Sequence, residues 1–185
     1  MNRRELIKNI SIITGAGLVG ADLFLSGCKN RNGSSDNTFN KTDIVFFDEV
    51  AETIIPKTNT PGAKDAQTGD FIALYATECY DDKELDVLKK GIRQLNDASL
   101  KKYQNDFVRI TAQQKEELLT AIDAEAKKQD EQNKDAVPHY FTLMKQLTLL
   151  GFFTSKQGAT QVLRYVPVPG TYKGCIDYKG ETAWA

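Results

Sequence analysis

Few side chains in this sequence have the types and spacing that chemistry asks for. The single histidine, His139, follows Pro138 at the start of a helical pattern. A Ser-His-Asp arrangement needs a hydroxyl that the imidazole activates, and neither Ser99 nor Ser155 stands in the sharp glycine-flanked turn that exposes such a nucleophile. His139 is therefore expected to pack or to cap a helix. One histidine without paired-cysteine spacing makes no zinc site, and the lack of C-x-x-C-H excludes covalently held c-type haem. Gly15-Ala16-Gly17-Leu18-Val19-Gly20 spells the G-x-G-x-x-G of dinucleotide sites. That fingerprint works only inside a strand-turn-helix-strand unit with an acidic residue about 20 positions on. A polar tether, Lys29 to Asn37, follows instead, so the nucleotide reading is set aside. Glu116, Glu117, Asp123 and Glu125 fall on helical patterns where solubility accounts for them. No catalytic, cofactor-binding or metal-binding residue is expected in this chain.

The first 27 residues speak to the compartment. Asn2-Arg3-Arg4-Glu5-Leu6-Ile7-Lys8 precedes a modestly apolar run from Ile10 to Leu25, which leads into Leu25-Ser26-Gly27-Cys28. Paired Arg3 and Arg4 before an apolar region diluted by glycines and Asp22 look like a twin-arginine export signal. The small residue before Cys28 completes a lipobox, which makes Cys28 the lipidated first residue of an exported, membrane-anchored protein. As a membrane span the run is too short, since about 20 apolar residues are wanted. Residues 28–41, rich in Asn, Lys, Ser and Gly, read as a flexible linker between anchor and domain.

The chain has 185 residues and a formal charge of −1, and losing residues 1–27, with three basic and two acidic side chains, takes it to −2. No basic field for nucleic acid is present. One domain, residues 42–185, with a sizeable core is expected. With Cys28 lipidated, Cys79 and Cys175 remain, and an oxidising compartment permits them to pair. A disulfide there ties the C-terminal tail to an early helix; the alternative is two unpaired thiols, and sequence supplies no distance to decide.

Helical spacing recurs along that domain. Ile44, Phe47, Val50, Ala51, Ile54 and Ile55 predict a helix from Thr42 or Asp43 that Pro56 stops, with Asp48, Glu49 and Glu52 on a solvated face. A rigid loop with Pro56, Pro61 and Gly62 follows. Further helices are predicted over about Asp70 to Tyr80, Asp82 to Tyr103, Thr111 to about Lys128, and Val137-Pro138 to a stop at Gly151. Gly91 reads as a weak point worth about 1 kcal/mol against alanine. Thr111 with Gln114, and Thr154 with Gln157, have capping-box spacing, the second pair for a short helix ending near Leu163. Lys127 to Lys134 reads as a solvated helix end and loop. Past Leu163, prolines 167 and 169 hold the chain extended, because neither donates a backbone hydrogen bond and each disfavours helix before it. No stretch alternates as a sheet would. The expected fold is all-α, a bundle of five or six helices with an extended Pro-rich C-terminal tail, and such a tail needs something to lie against.

Two blocks carry a likeness. Phe47 to Ala63, FDEVAETIIPKTNTPGA, and Gly151 to Cys175, GFFTSKQGATQVLRYVPVPGTYKGC, closely resemble the two signatures of the gluconate 2-dehydrogenase subunit 3 family. The pattern between them, including Phe107 and Thr111, fits as well. The resemblance implies a small non-catalytic subunit of a membrane-associated sugar or sugar-acid dehydrogenase. It further implies a large flavoprotein subunit of the glucose-methanol-choline (GMC) type holding FAD, a c-type cytochrome whose haem takes the electrons, and export of the folded large subunit on the small subunit's signal. Docking is then expected at Phe152, Phe153, Arg164, Tyr165, Pro167, Pro169 and Tyr172, with Pro56, Thr60, Pro61 and Gly62 as a second patch. The competing class is a stand-alone exported lipoprotein acting as a binding module; an independent enzyme is disfavoured by the shortage of catalytic groups.

Overall fold

The computed structural model describes residues 39–133, 136–168, 170–171, 174–175 and 177–184. The expectations for Arg3, Arg4, the glycine run, Cys28, Pro169 and Tyr172 lie outside those residues. The described part is helical, without a sheet. In chain order it holds α1 (Lys41–Ile54), α2 (Thr68–Cys79), α3 (Asp82–Tyr103), a 3-10 turn (Phe107–Arg109), α4 (Ala112–Gln132), α5 (Tyr140–Thr154) and a π-helical turn (Gly158–Val162).

The bundle is built round α5, which packs against each of the other four α-helices. Its sequence explains the position: Tyr140, Phe141, Leu143, Met144, Leu147, Thr148, Gly151 and Phe152 are all buried, so apolar residues face several directions. A helix apolar on most sides is stable only where neighbours cover it. The others are amphipathic and turn one face inward, as with Phe46, Phe47, Val50 and Ala51 of α1 and Leu85, Leu88 and Leu95 of α3.

Local signals set most helix starts. Asn40 caps α1 with a reciprocal bond from Asp43, Asp81 with Glu84 does the same for α3, and Thr111 with Gln114 for α4. Each box satisfies backbone N–H groups that the first turn leaves without an intrahelical partner. Phe39 stacks edge-on against Phe47 at 5.1 Å, so core packing reaches into the stretch expected to be linker.

Several boundaries differ from expectation. α2 starts at Thr68, two residues early, because Gln67 adopts a left-handed conformation, φ 54°, that turns the chain into the helix. α4 runs to Gln132 through the supposed connector, since nothing there breaks a helix and Ala126 is buried. α5 does not stop at Gly151. There the missing side chain admits Phe71 of α2, whose Cδ1 would lie 2.5 Å from a Cβ. The helix ends instead at Thr154, whose Oγ1 donates to the Leu150 carbonyl, and Ser155 Oγ accepts the Gly158 N–H at 3.0 Å in the role expected of Thr154.

Gly91 is also more than a weak point, since Tyr140 of α5 lies where its Cβ would be. Gly91→Ala is expected to lower stability by about 1–3 kcal/mol through overpacking, despite a helix-propensity gain of about 1 kcal/mol. Urea unfolding followed by circular dichroism checks this, and a stabilised variant would show that the α3–α5 approach is looser.

Candidate partner-docking site

The loop from Ile55 to Gln67 has no regular structure; turn hydrogen bonds within it, such as Ala63 N–H to the Ile55 carbonyl, satisfy part of its backbone, and the acids of α1 take further N–H groups. Glu52 accepts the Lys57 N–H at 2.9 Å through one oxygen and the Lys64 N–H at 2.8 Å through the other. Asp48 accepts the Gly69 N–H at 2.8 Å. Glu49 bridges Lys64 at 2.6 Å and Lys115 of α4 at 2.7 Å. Asp65, within the loop, accepts the Gly62 N–H at 3.1 Å and pairs with Lys57. The solvated face expected for Asp48, Glu49 and Glu52 is thus an inward-working set. Gly62 fits this scheme, because a Cβ there would lie 2.6 Å from both Glu52 oxygens.

The electrostatics divide accordingly. Burial raises the Asp48 carboxyl above its ordinary value, outweighing the Gly69 hydrogen bond. Burial pushes Glu49 the same way, but the hydrogen bonds from Lys115 and Lys64 prevail and hold it below. Lys57, and then the Gly62 N–H, lower Asp65.

The second block meets this loop. Gln157 Nε2 donates to the Asp65 carbonyl at 3.0 Å, across 92 positions of sequence. Pro56 and Thr60 are exposed and Pro61 half-buried, so they offer surface on the loop whose Asp65 carbonyl Gln157 reaches. Gly62 is buried beneath Glu52 and Phe152 is 1% exposed in the core, so neither presents a docking surface. The ring to present is Phe153, the next residue of α5, which is 38% exposed and meets the Phe152 ring edge-on. Beyond Leu163 the chain leaves the bundle: Tyr165 is 57% and Val168 83% exposed, and Pro167 is exposed between them.

Arg164 is engaged within the chain. Its N–H donates to the Ala183 carbonyl at 2.7 Å, its guanidinium lies 3.6 Å over the Trp184 ring, and Nη1 stands 3.4 Å from Glu181. Cys79 and Cys175 are both exposed free thiols, so the pairing is not formed.

His139 caps α5, its Nδ1 accepting the Phe141 N–H at 3.2 Å, as expected. Burial lowers its pKa, with Asp130 and Glu125 opposing. It borders a cleft of about 450 Å³ shared with Gln94, Glu125, Gln129 and Tyr140. Among the described residues no group of three or more His, Cys, Asp and Glu could hold a metal ion. No helix among them is long and apolar enough to cross a membrane.

Against known families, the profile of gluconate 2-dehydrogenase subunit 3 matches residues 41–170. The chain belongs to this family. No curated protein and no solved structure matches it. The subunit 3 match runs from the first turn of α1 to the glycine after Pro169, taking in the α1 acids, the loop they hold and the exposed tail. Membership in a subunit family implies a larger catalytic partner.

The acid set makes a stability prediction. Asp48→Ala leaves the Gly69 N–H without its acceptor and is expected to cost about 1–3 kcal/mol, while Asp48→Asn keeps an acceptor oxygen. Because the folded pKa of Asp48 is raised, the wild type loses stability as pH rises from the ordinary carboxylate value through the raised one. Asp48→Asn lacks that loss and should gain on the wild type across that window. Glu49 acts oppositely, its contribution being lost as pH falls through its depressed folded value. Urea titrations at a series of pH values, comparing Asp48→Asn and Glu49→Gln with wild type, should show differences of opposite pH slope; parallel curves would refute the assignment.

Proposed function

We propose that this chain is the non-catalytic small subunit of a periplasmic, membrane-associated, FAD-dependent sugar or sugar-acid dehydrogenase. The family match over residues 41–170 carries this reading. The large subunit, a GMC-type flavoprotein, holds FAD and oxidises the substrate, and a c-type cytochrome takes the electrons through its haem. The small subunit escorts, stabilises and tethers.

Escort rests on Arg3 and Arg4. A flavoprotein that closes around FAD in the cytoplasm must cross the membrane folded, and the twin-arginine route accepts folded cargo, so one signal serves two chains. Tethering rests on Cys28, whose lipid fixes the complex to the membrane while the linker gives it reach.

Grip rests on the surface just described. Phe153, Tyr165, Pro167 and Val168 put apolar area into solvent, the Pro56–Pro61 loop adds a second exposed patch, and Pro169 and Tyr172 follow in the sequence of the same tail. Aromatic residues are enriched where interfaces form, and a proline-stiffened segment loses little entropy on docking. The substrate pocket belongs to the partner, so gluconate is the family's label and other sugars or polyols are equally compatible.

Ending the chain after Leu163 is expected to abolish co-purification with the flavoprotein, with the bundle's circular dichroism retained; an intact complex would remove the tail from the interface. Lysine at both positions 3 and 4 should strand both subunits in the cytoplasm. A flavoprotein that still reaches the periplasm in cell fractionation would refute shared export.

A further inference from the structure

Residues 181–184 occupy Arg164 in an unusual way. The chain returns to lay Trp184 alongside Arg164 in a lone parallel bridge, with the Arg164 N–H bonded to the Ala183 carbonyl. The guanidinium is sandwiched between a ring and a carboxylate, yet it is poorly satisfied. Its approach to Glu181, 3.4 Å, is longer than the roughly 2.7–2.9 Å of a charge-assisted hydrogen bond, and Nε is buried with no partner. A guanidinium with five donors takes a carboxylate best through two parallel bonds, and that geometry is not reached here.

The covering segment is correspondingly cheap to remove. Residues 177–184 are exposed throughout, Tyr178 at 82% and Trp184 at 53%, so the clasp buries little apolar area. The family match ends at Gly170, so Arg164 lies within the matched span while Glu181 and Trp184 lie beyond it.

We propose that residues 181–184 are an internal stand-in for the docking partner. The Arg164 face accepts an extended segment of the catalytic subunit that carries a carboxylate and, three residues on, an aromatic ring; that segment displaces residues 181–184. The carboxylate takes Arg164 in bidentate fashion, Nε included, and the ring takes the stacking place of Trp184. This rests on the tail being a docking element and adds what it recognises and what guards it before assembly. Until a partner is present, the clasp keeps a cation and an aromatic face from non-specific contacts.

Trp184 is the chain's single tryptophan, so 5-fluorotryptophan incorporated in this subunit alone gives one fluorine-19 resonance from the clasp. In the full chain in detergent, Arg164→Ala should move that resonance toward its position in unfolded protein; an unmoved signal would overturn the clasp itself. Adding the catalytic subunit to the wild-type chain should move it the same way, and a chain ending at Gly180 should bind that subunit about tenfold more tightly. If Arg164→Ala weakens the complex but the resonance stays put, or the shortened chain binds equally or less well, the tail docks and the displacement idea falls. If Arg164→Ala leaves the complex unchanged, the docking reading fails at this residue and the proposal with it. A resonance that moves with concentration alone, with dimers in light scattering, would show exchange between two copies and overturn the assignment to the catalytic subunit.

Discussion

The hydrogen bonds that the following backbone donates to the α1 carboxylates are the constraint on which the rest depends. The loop pairs some of its N–H groups with its own carbonyls, as Ala63 does with Ile55 and Gln67 with Lys64, but those of Lys57 and Lys64 point to the helix and need acceptors there. Asp48 and Glu52, four residues apart, stand one turn above the other on one face of α1. They take the N–H groups of Lys57, Lys64 and Gly69, and Glu49 beside them draws in Lys115 from α4. One turn of helix thereby fixes the loop, the start of α2 and the approach of α4. The loop in turn offers its Asp65 carbonyl to Gln157, which steadies the root of the tail.

This arrangement explains why Glu49 is tolerated next to the core. Lys115 is only 8% exposed, and a buried ammonium without a partner would be several kcal/mol too costly to keep. Glu49 supplies that partner, and Lys64 at its other oxygen completes the carboxylate's own needs. Removing Glu49 would leave both ammonium groups without this partner, the buried Lys115 at the greater cost, so the two pairs are coupled through one carboxylate.

What was legible in the sequence was what is local. The α3 limits, the Thr111–Gln114 box, the capping by His139 and the extended tail all follow from residues within four positions of each other. What was hidden spans distance. Asp48, Glu49 and Glu52 look like any acidic first face of a helix, and only their partners, 5 to 66 positions away, give them work. Gly151 reads as a stop because glycine usually ends a helix, whereas here it clears room for Phe71 of another helix. Phe152 and Phe153 are indistinguishable in sequence, and the α5 rotation that buries one and exposes its neighbour depends on packing against four helices at once. Arg164 was singled out, but its partner at the far end of the chain left no local mark.

The two halves of the molecule therefore differ in energetic character. From Phe39 to Leu163 the chain is cooperative: the buried face of α5 ties every helix to every other, and the loop between α1 and α2 is held at several points. Past Leu163, the contacts among the described residues are a backbone bond, a stack and a long ion pair, none of which involves the bundle's core. That separation suits a subunit whose work is assembly. The rigid part sets where the tail begins and in what direction it leaves, which limits the conformations lost when a partner binds. The Arg164 contacts lie outside the bundle's core, so the exchange proposed there would cost only the clasp.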